Sequence, residues 1–146
     1  MGIRDGLVTT AAWVVFTTAL LGGIRLYNSA WNNKTIDNPG YKTESRASGI
    51  FGHVEFTTYS DNSHDVKTYP GLIDHRYFNS QLNQDLDGDG LVDRIRRDGS
   101  EFRMHSLKKI LTRENDYEKN KELFDKTDKQ LQDLILKYPN KYLISK

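Results

Sequence analysis

The sequence predicts a small α+β fold: a small antiparallel sheet of two hairpins with a long C-terminal helix, preceded by an N-terminal helix of transmembrane type. Three observations predict it. The stretch Leu7–Ile24 carries no charged residue. Val54, Phe56 and Thr58 alternate with Glu55, Thr57 and Tyr59, the period of a half-buried strand. Tyr117, Phe124, Leu131 and Tyr138 recur every seven residues, the spacing of one face of a helix.

The N-terminal element comes first. About 20 mainly apolar residues cross a bilayer as a helix, and residues 7–27 approach that length once Leu26 and Tyr27 are added. Arg25 is placed to snorkel toward headgroups, and Tyr27 and Trp31 sit where an aromatic belt forms. Thr18 with Gly22, and Ala19 with Gly23, are small pairs that permit close helix packing in lipid. A cleaved secretory signal is the rival, although Arg4 is offset by Asp5 and Asn28-Ser29-Ala30 is a poor cleavage site. Residues 1–27 are therefore expected to be an anchor or signal segment, 28–48 a linker, and 49–146 one small domain. The linker reading rests on Asn, Lys, Pro39, Gly40, Ser and Thr without an apolar period.

Within the domain, Asp61-Asn62-Ser63 marks a turn, and Val66 to Tyr69 reads as the returning strand before Pro70-Gly71. Residues 72–84 fit either a short helix or a packed loop. After the acidic run described below, residues 93–97 read as a strand, Asp98-Gly99 as a hairpin turn, and 101–104 as the answering strand. Ile95, Phe102 and Met104 are expected to face the core, with Arg94, Arg96 and Arg103 toward solvent. From Ser106 the pattern turns helical, with Leu107, Ile110 and Leu111 as a short stripe. The seven-residue seam then runs to Pro139, with Thr127 and Leu134 between its members. That helix is expected to cover the sheet. Self-association through the seam is the alternative.

The chemistry concentrates in Asp85-Leu86-Asp87-Gly88-Asp89-Gly90-Leu91-Val92-Asp93. Four carboxylates alternate with other residues, and no Lys or Arg lies among them. Like charges so close repel, and a hard cation relieves the repulsion. Oxygen donors without His or Cys select Ca²⁺ over zinc or copper. Taking Asp85 as the first position of an EF-hand loop places Asp87 at the third, Asp89 at the fifth, Gly90 at the sixth, the Leu91 carbonyl at the seventh and Asp93 at the ninth. Arg96 holds the twelfth, where such loops carry a bidentate acid. Asp98 and Glu101 are the downstream acids available to complete the shell.

The run resembles an EF-hand loop over its first nine positions. It is similar to the short DxDxDGxxD loops of dockerin-like, thrombospondin type 3 and FG-GAP repeats, which are extracellular calcium clips. The resemblance implies Ca²⁺ bound by Asp85, Asp87, Asp89, Leu91 and Asp93. It also implies a body outside the cytoplasm, where millimolar calcium loads an incomplete site. The sequon Asn33-Lys34-Thr35 points the same way. Arg25, Lys34 and Lys42 after the span, against Arg4 before it, point the other way.

Composition excludes several classes. The chain has 146 residues, no cysteine and a net charge of +1. Disulfide frameworks and thiolate metal sites are ruled out, and no global field draws nucleic acid. His53, His64, His75 and His105 show no helical zinc spacing, and no nucleophile motif accompanies them. Arg94, Arg96, Arg97, Arg103, Lys108 and Lys109 flank the acidic run and moderate its field. The expected function is a membrane-anchored or secreted calcium-binding structural or binding protein. The alternatives are a small metal- or histidine-dependent hydrolase, or a subunit of a surface filament built on the apolar helix.

Overall fold

The computed structural model describes residues 3–48, 50, 52–69, 80–98 and 109–139. A single helix, α1 (Ile3–Asn32), leads the chain. Seven strands follow: β1 (Lys34–Asn38), β2 (Tyr41–Ser48), β3 (Gly52–Tyr59), β4 (His64–Tyr69), β5 (Ser80–Asp85), β6 (Arg94–Asp98) and β7 (Lys109–Thr112). A single helical turn, α2 (Arg113–Asp116), leads to α3 (Lys121–Lys137). The strands form one sheet in chain order, β1 to β7, every neighbouring pair antiparallel. The architecture is α+β as expected, with a sheet larger than two hairpins.

The first enlargement lies in residues 28–48, predicted as a linker. These residues complete α1 and form the β1–β2 hairpin. Pro39 presets the backbone for the turn, and Gly40 takes a φ of +93° that only glycine adopts without strain. The hairpin is held by polar contacts rather than apolar ones. Glu44 is buried and binds Thr35 Oγ1 at 2.7 Å, Lys42 Nζ at 2.7 Å and Arg46 Nη2 at 2.6 Å. Burial opposes its charge, but the Lys42 and Thr35 hydrogen bonds, with the fields of Lys42 and Arg46, outweigh it and hold the carboxyl below its ordinary value.

The β3–β4 hairpin matches its prediction, with Phe56 opposite Val66 and Thr58 opposite His64. Asn62 adopts a φ of 73° in the turn, and Asp61 Oδ1 accepts from Ser63 N at 3.0 Å. Part of the ambiguous segment 72–84 proves to be β5. Beyond β6 the sheet continues with β7: Ile95 pairs with Leu111, and Arg97 with Lys109. Residues 99–108, including Phe102, Arg103 and Met104, lie outside the described residues, as do 70–79. The helical reading from Ser106 is corrected too. Ile110 and Leu111 belong to β7, where Ile110 is exposed and Leu111 buried, so they point to opposite faces.

Strand alternation puts Phe56, Val66, Ile95 and Leu111 on one face, where α3 lies across them. Phe124 and Leu131 enter the same core with Val92, while Tyr117, Leu134 and Tyr138 pack at its margin. The seven-residue seam is thus occupied by the chain's own sheet. The other face carries a polar network: the Tyr59 hydroxyl donates to Asp65 Oδ2 at 3.0 Å, and Gln84 Nε2 donates to Asp65 Oδ1 at 3.1 Å. Burial first, and then the Asp65 charge, pushes the Tyr59 phenol up to about 12.

Two outcomes follow from this packing. Phe124 is fully buried and Leu136 is 82% exposed. Phe124→Ala is expected to cost about 3–5 kcal/mol in urea unfolding, and Leu136→Ala less than about 0.5 kcal/mol. In a spectrophotometric titration, Tyr59 is expected to ionise near 12, and Tyr59→Phe to remove that step. Its phenol is raised above the unfolded value of 10, so its stabilising contribution is complete below pH 10 and disappears as pH climbs toward 12.

Candidate metal centre

The acidic loop spans the gap between β5 and β6, and backbone hydrogen bonds close both its ends. Asp93 N donates to Gln84 O at 2.8 Å, and Arg113 N donates to Asp93 O at 2.7 Å. Gly88 and Gly90 take φ values of +78° and +84°, which fold the chain back on itself. At Gly88 an added Cβ would also lie 2.6 Å from the backbone oxygen of Asn62, in the neighbouring β3–β4 turn. The Asn62 amide donates to Gly88 O at 3.2 Å, so the two turns brace each other.

Asp85 is the pivot. It is 1% exposed, and its Oδ1 accepts from Gly88 N at 2.8 Å. Its Oδ2 accepts from Gly90 N at 3.1 Å and lies 2.9 Å from His64 Nδ1. Strand pairing makes this last contact, because His64 stands directly opposite Asp85 in the β4–β5 register. The His64 ring also stacks on Phe56, with centroids 5.6 Å apart. Its sequence neighbour Asp65 points to the other face, as the alternation of a strand requires.

Asp87 and Asp89 are exposed, and each turns one oxygen onto the loop backbone. Asp89 N donates to Asp87 Oδ1 at 3.1 Å, and Leu91 N donates to Asp89 Oδ1 at 2.7 Å. Each of Asp85, Asp87 and Asp89 offers one carboxylate oxygen, all three within 4.8 Å of one another. Among the described residues this is the group of His, Asp and Glu side chains that converges as ligands to a metal ion would. Three oxygens on a glycine-rich turn suit a hard cation, with backbone carbonyls and water for the remaining positions.

Asp93 stands outside the converging three. Asp93 Oδ2 accepts from Leu86 N at 2.7 Å and draws the neck of the loop together. Asp98 is too distant to complete a shell. It pairs with Ser80, five residues along β5 from Asp85, or roughly 16 Å at the rise of a strand. Glu101 lies outside the described residues.

The residues that hold the loop to the rest of the molecule escaped the sequence reading. Asp128 of α3 is 8% exposed; its Oδ1 accepts from Val92 N at 2.8 Å and from Arg113 Nη2 at 2.5 Å. Arg113 Nε donates to Val92 O at 2.9 Å, and its guanidinium sits 5.1 Å from the ring centroids of both Tyr117 and Phe124. The signal was present in the spacing: Asp128 follows Phe124 by four residues and precedes Leu131 by three, on the buried face of α3.

No family model, curated protein or solved structure matches the chain. The loop therefore has to be understood from its own geometry. A groove of about 800 Å³ runs beside it, lined by Asn62, His64, Asp89, Ile135, Leu136 and Tyr138 among others.

Gly88→Ala is expected to unfold at lower temperature than the parent, because both φ and the Asn62 carbonyl oppose a side chain. Asp128→Ala is expected to cost about 2–3 kcal/mol by urea unfolding, since Val92 N and the Arg113 cation lose their shared acceptor. Asp128→Asn, which keeps an acceptor oxygen, is expected to cost less.

Proposed function

We propose that this protein is a membrane-anchored, calcium-binding structural or binding domain. The observation that carries the reading is the convergence of Asp85, Asp87 and Asp89 oxygens within 4.8 Å. Ca²⁺ neutralises carboxylates that otherwise repel and fixes the turn between β5 and β6. The ion joins β5, β6 and, through Val92 and Asp128, the long helix. Leu91 O and Asp93 are the protein oxygens available to extend the set.

The anchor reading rests on Thr10–Asn32, a helical stretch whose most apolar 18 residues have a mean hydropathy of 1.3, with none of them buried in the protein. We place the body outside the cytoplasm, where calcium is abundant enough for a loop with Arg96 at its twelfth position. A second reading draws on the groove beside Asp89. An ion with an open position there would polarise a bound ligand, as hydrolytic metal sites do.

Calorimetry of the full chain in detergent is expected to show one Ca²⁺ bound with a dissociation constant of about 0.1–1 mM. Asp87→Ala with Asp89→Ala is expected to abolish binding and the rise in melting temperature that accompanies it. Sub-micromolar affinity would contradict the incomplete shell. Absence of any response in the parent would reduce the acidic run to a turn. Calcium-dependent ester or phosphoester hydrolysis, lost in the same double variant, would favour the second reading.

A further inference from the structure

Most of α1 and its last turn face different surroundings. Trp13, Val14, Val15, Phe16, Leu20 and Leu26 are 52–73% exposed, and they occupy every side of the helix. The threonine hydroxyls that would spoil this surface are turned inward. Thr17 donates to Trp13 O at 2.8 Å, and Thr18 donates to Val14 O at 2.8 Å. Such bonds remove the cost of a hydroxyl in hydrocarbon.

One residue beyond Tyr27 the pattern reverses. Asn28 is fully buried, and its Nδ2 donates to Gly52 O of β3 at 2.8 Å. Asn32, one turn on, is 7% exposed and donates to Asn28 Oδ1 at 2.6 Å. Asn33 follows: its Oδ1 accepts from Ala47 N of β2 at 2.8 Å, and its Nδ2 donates to Ser29 Oγ at 2.6 Å. The asparagine of the sequon thus works as a strap between helix and sheet. The buried amides of Asn28 and Asn32 both have partners, one in the sheet and one a helical turn away.

We infer that residues 28–33 are a built-in part of the sheet domain, so that the lipid-spanning helix and the domain form one rigid body whose membrane boundary lies at Tyr27. The inference rests on the membrane reading above and adds the orientation of the domain to it. Counting back from Tyr27, about 20 residues at 1.5 Å each give about 30 Å, the thickness of a hydrocarbon core. That span ends at Val8 and leaves Arg4 and Asp5 beyond it. At the near side, Tyr27 and Trp31 stack with centroids 6.2 Å apart, both more than 60% exposed, at the depth where aromatic side chains favour the headgroup layer. A helix that continues unbroken into a hydrogen-bonded sheet leaves no hinge at the membrane surface. Signal cleavage after Ala30 would strip Asn28 from the domain, so the geometry selects a retained helix.

The test uses the full chain in phosphatidylcholine bilayers. The chain has no cysteine, so Lys129→Cys carries a single fluorophore on the exposed side of α3. In oriented bilayers, polarised emission from this label is expected to be strongly ordered. A flexible Gly-Ser hexapeptide inserted between Tyr27 and Asn28 leaves the Asn28–Gly52 bond in place and is expected to abolish that order. Asn28→Ala is expected to weaken it with the domain still folded by circular dichroism. Equal, isotropic emission from parent and insertion variant would overturn the rigid coupling while leaving the membrane reading intact. A chain that fails to enter the bilayer, or whose membrane form lacks α1 by intact mass, would overturn both.

Discussion

The carboxylate of Asp128 is the point on which the folded domain turns. It is one oxygen shared by Val92 N, at the end of the acidic loop, and the guanidinium of Arg113, at the start of the C-terminal segment. Through it α3 grips the loop and the end of β7 together. Val92 is fully buried beside this contact, and Phe124 packs under the Arg113 guanidinium. Polar and apolar contributions coincide there. A buried ion pair is weak evidence of net stability, but removing one partner is costly because the other stays desolvated. The interaction ties α3 to the loop in the register that brings Asp128 to Val92.

That fixed register explains how an acidic loop is held ready with its charges together. Asp85 is immobilised by two loop amides and by His64, and the loop neck is drawn in by Asp93. The exposed pair Asp87 and Asp89 hang from a frame that the domain has already fixed. A cation entering such a loop would order little additional backbone, so the entropic cost of binding would fall mainly on two side chains.

Much of this was legible in the sequence, and the exceptions have physical causes. The apolar helix announces itself through its long uncharged run, and the β3–β4 hairpin and the seam of α3 through apolar periodicity. β2 does not, because Lys42, Glu44 and Arg46 hold its face with charge rather than hydrophobic contact, and β5, reading Ser80-Gln81-Leu82-Asn83-Gln84-Asp85, is nearly as polar. β7 misled because Ile110 and Leu111 after Leu107 satisfy helical spacing as well as they fit a strand. At the candidate site the carboxylates were readable from their spacing. His64 and Arg113 were not, since one is brought in by the β4–β5 register, 21 residues before Asp85, and the other by a turn after β7. Asp128 looked like one more solvated acid on a charged helix until its neighbours were known to be core.

The order of the strands has a consequence for synthesis. Each strand pairs with the one made just before it, so the sheet can grow as the chain emerges, without waiting for distant partners. The first strands pack against the end of α1 through Asn28 and Asn33. Among the described residues, α3 reaches back to Phe56 on the third strand and Val92 before the sixth. The apolar face of the sheet is therefore closed only once α3 has been made.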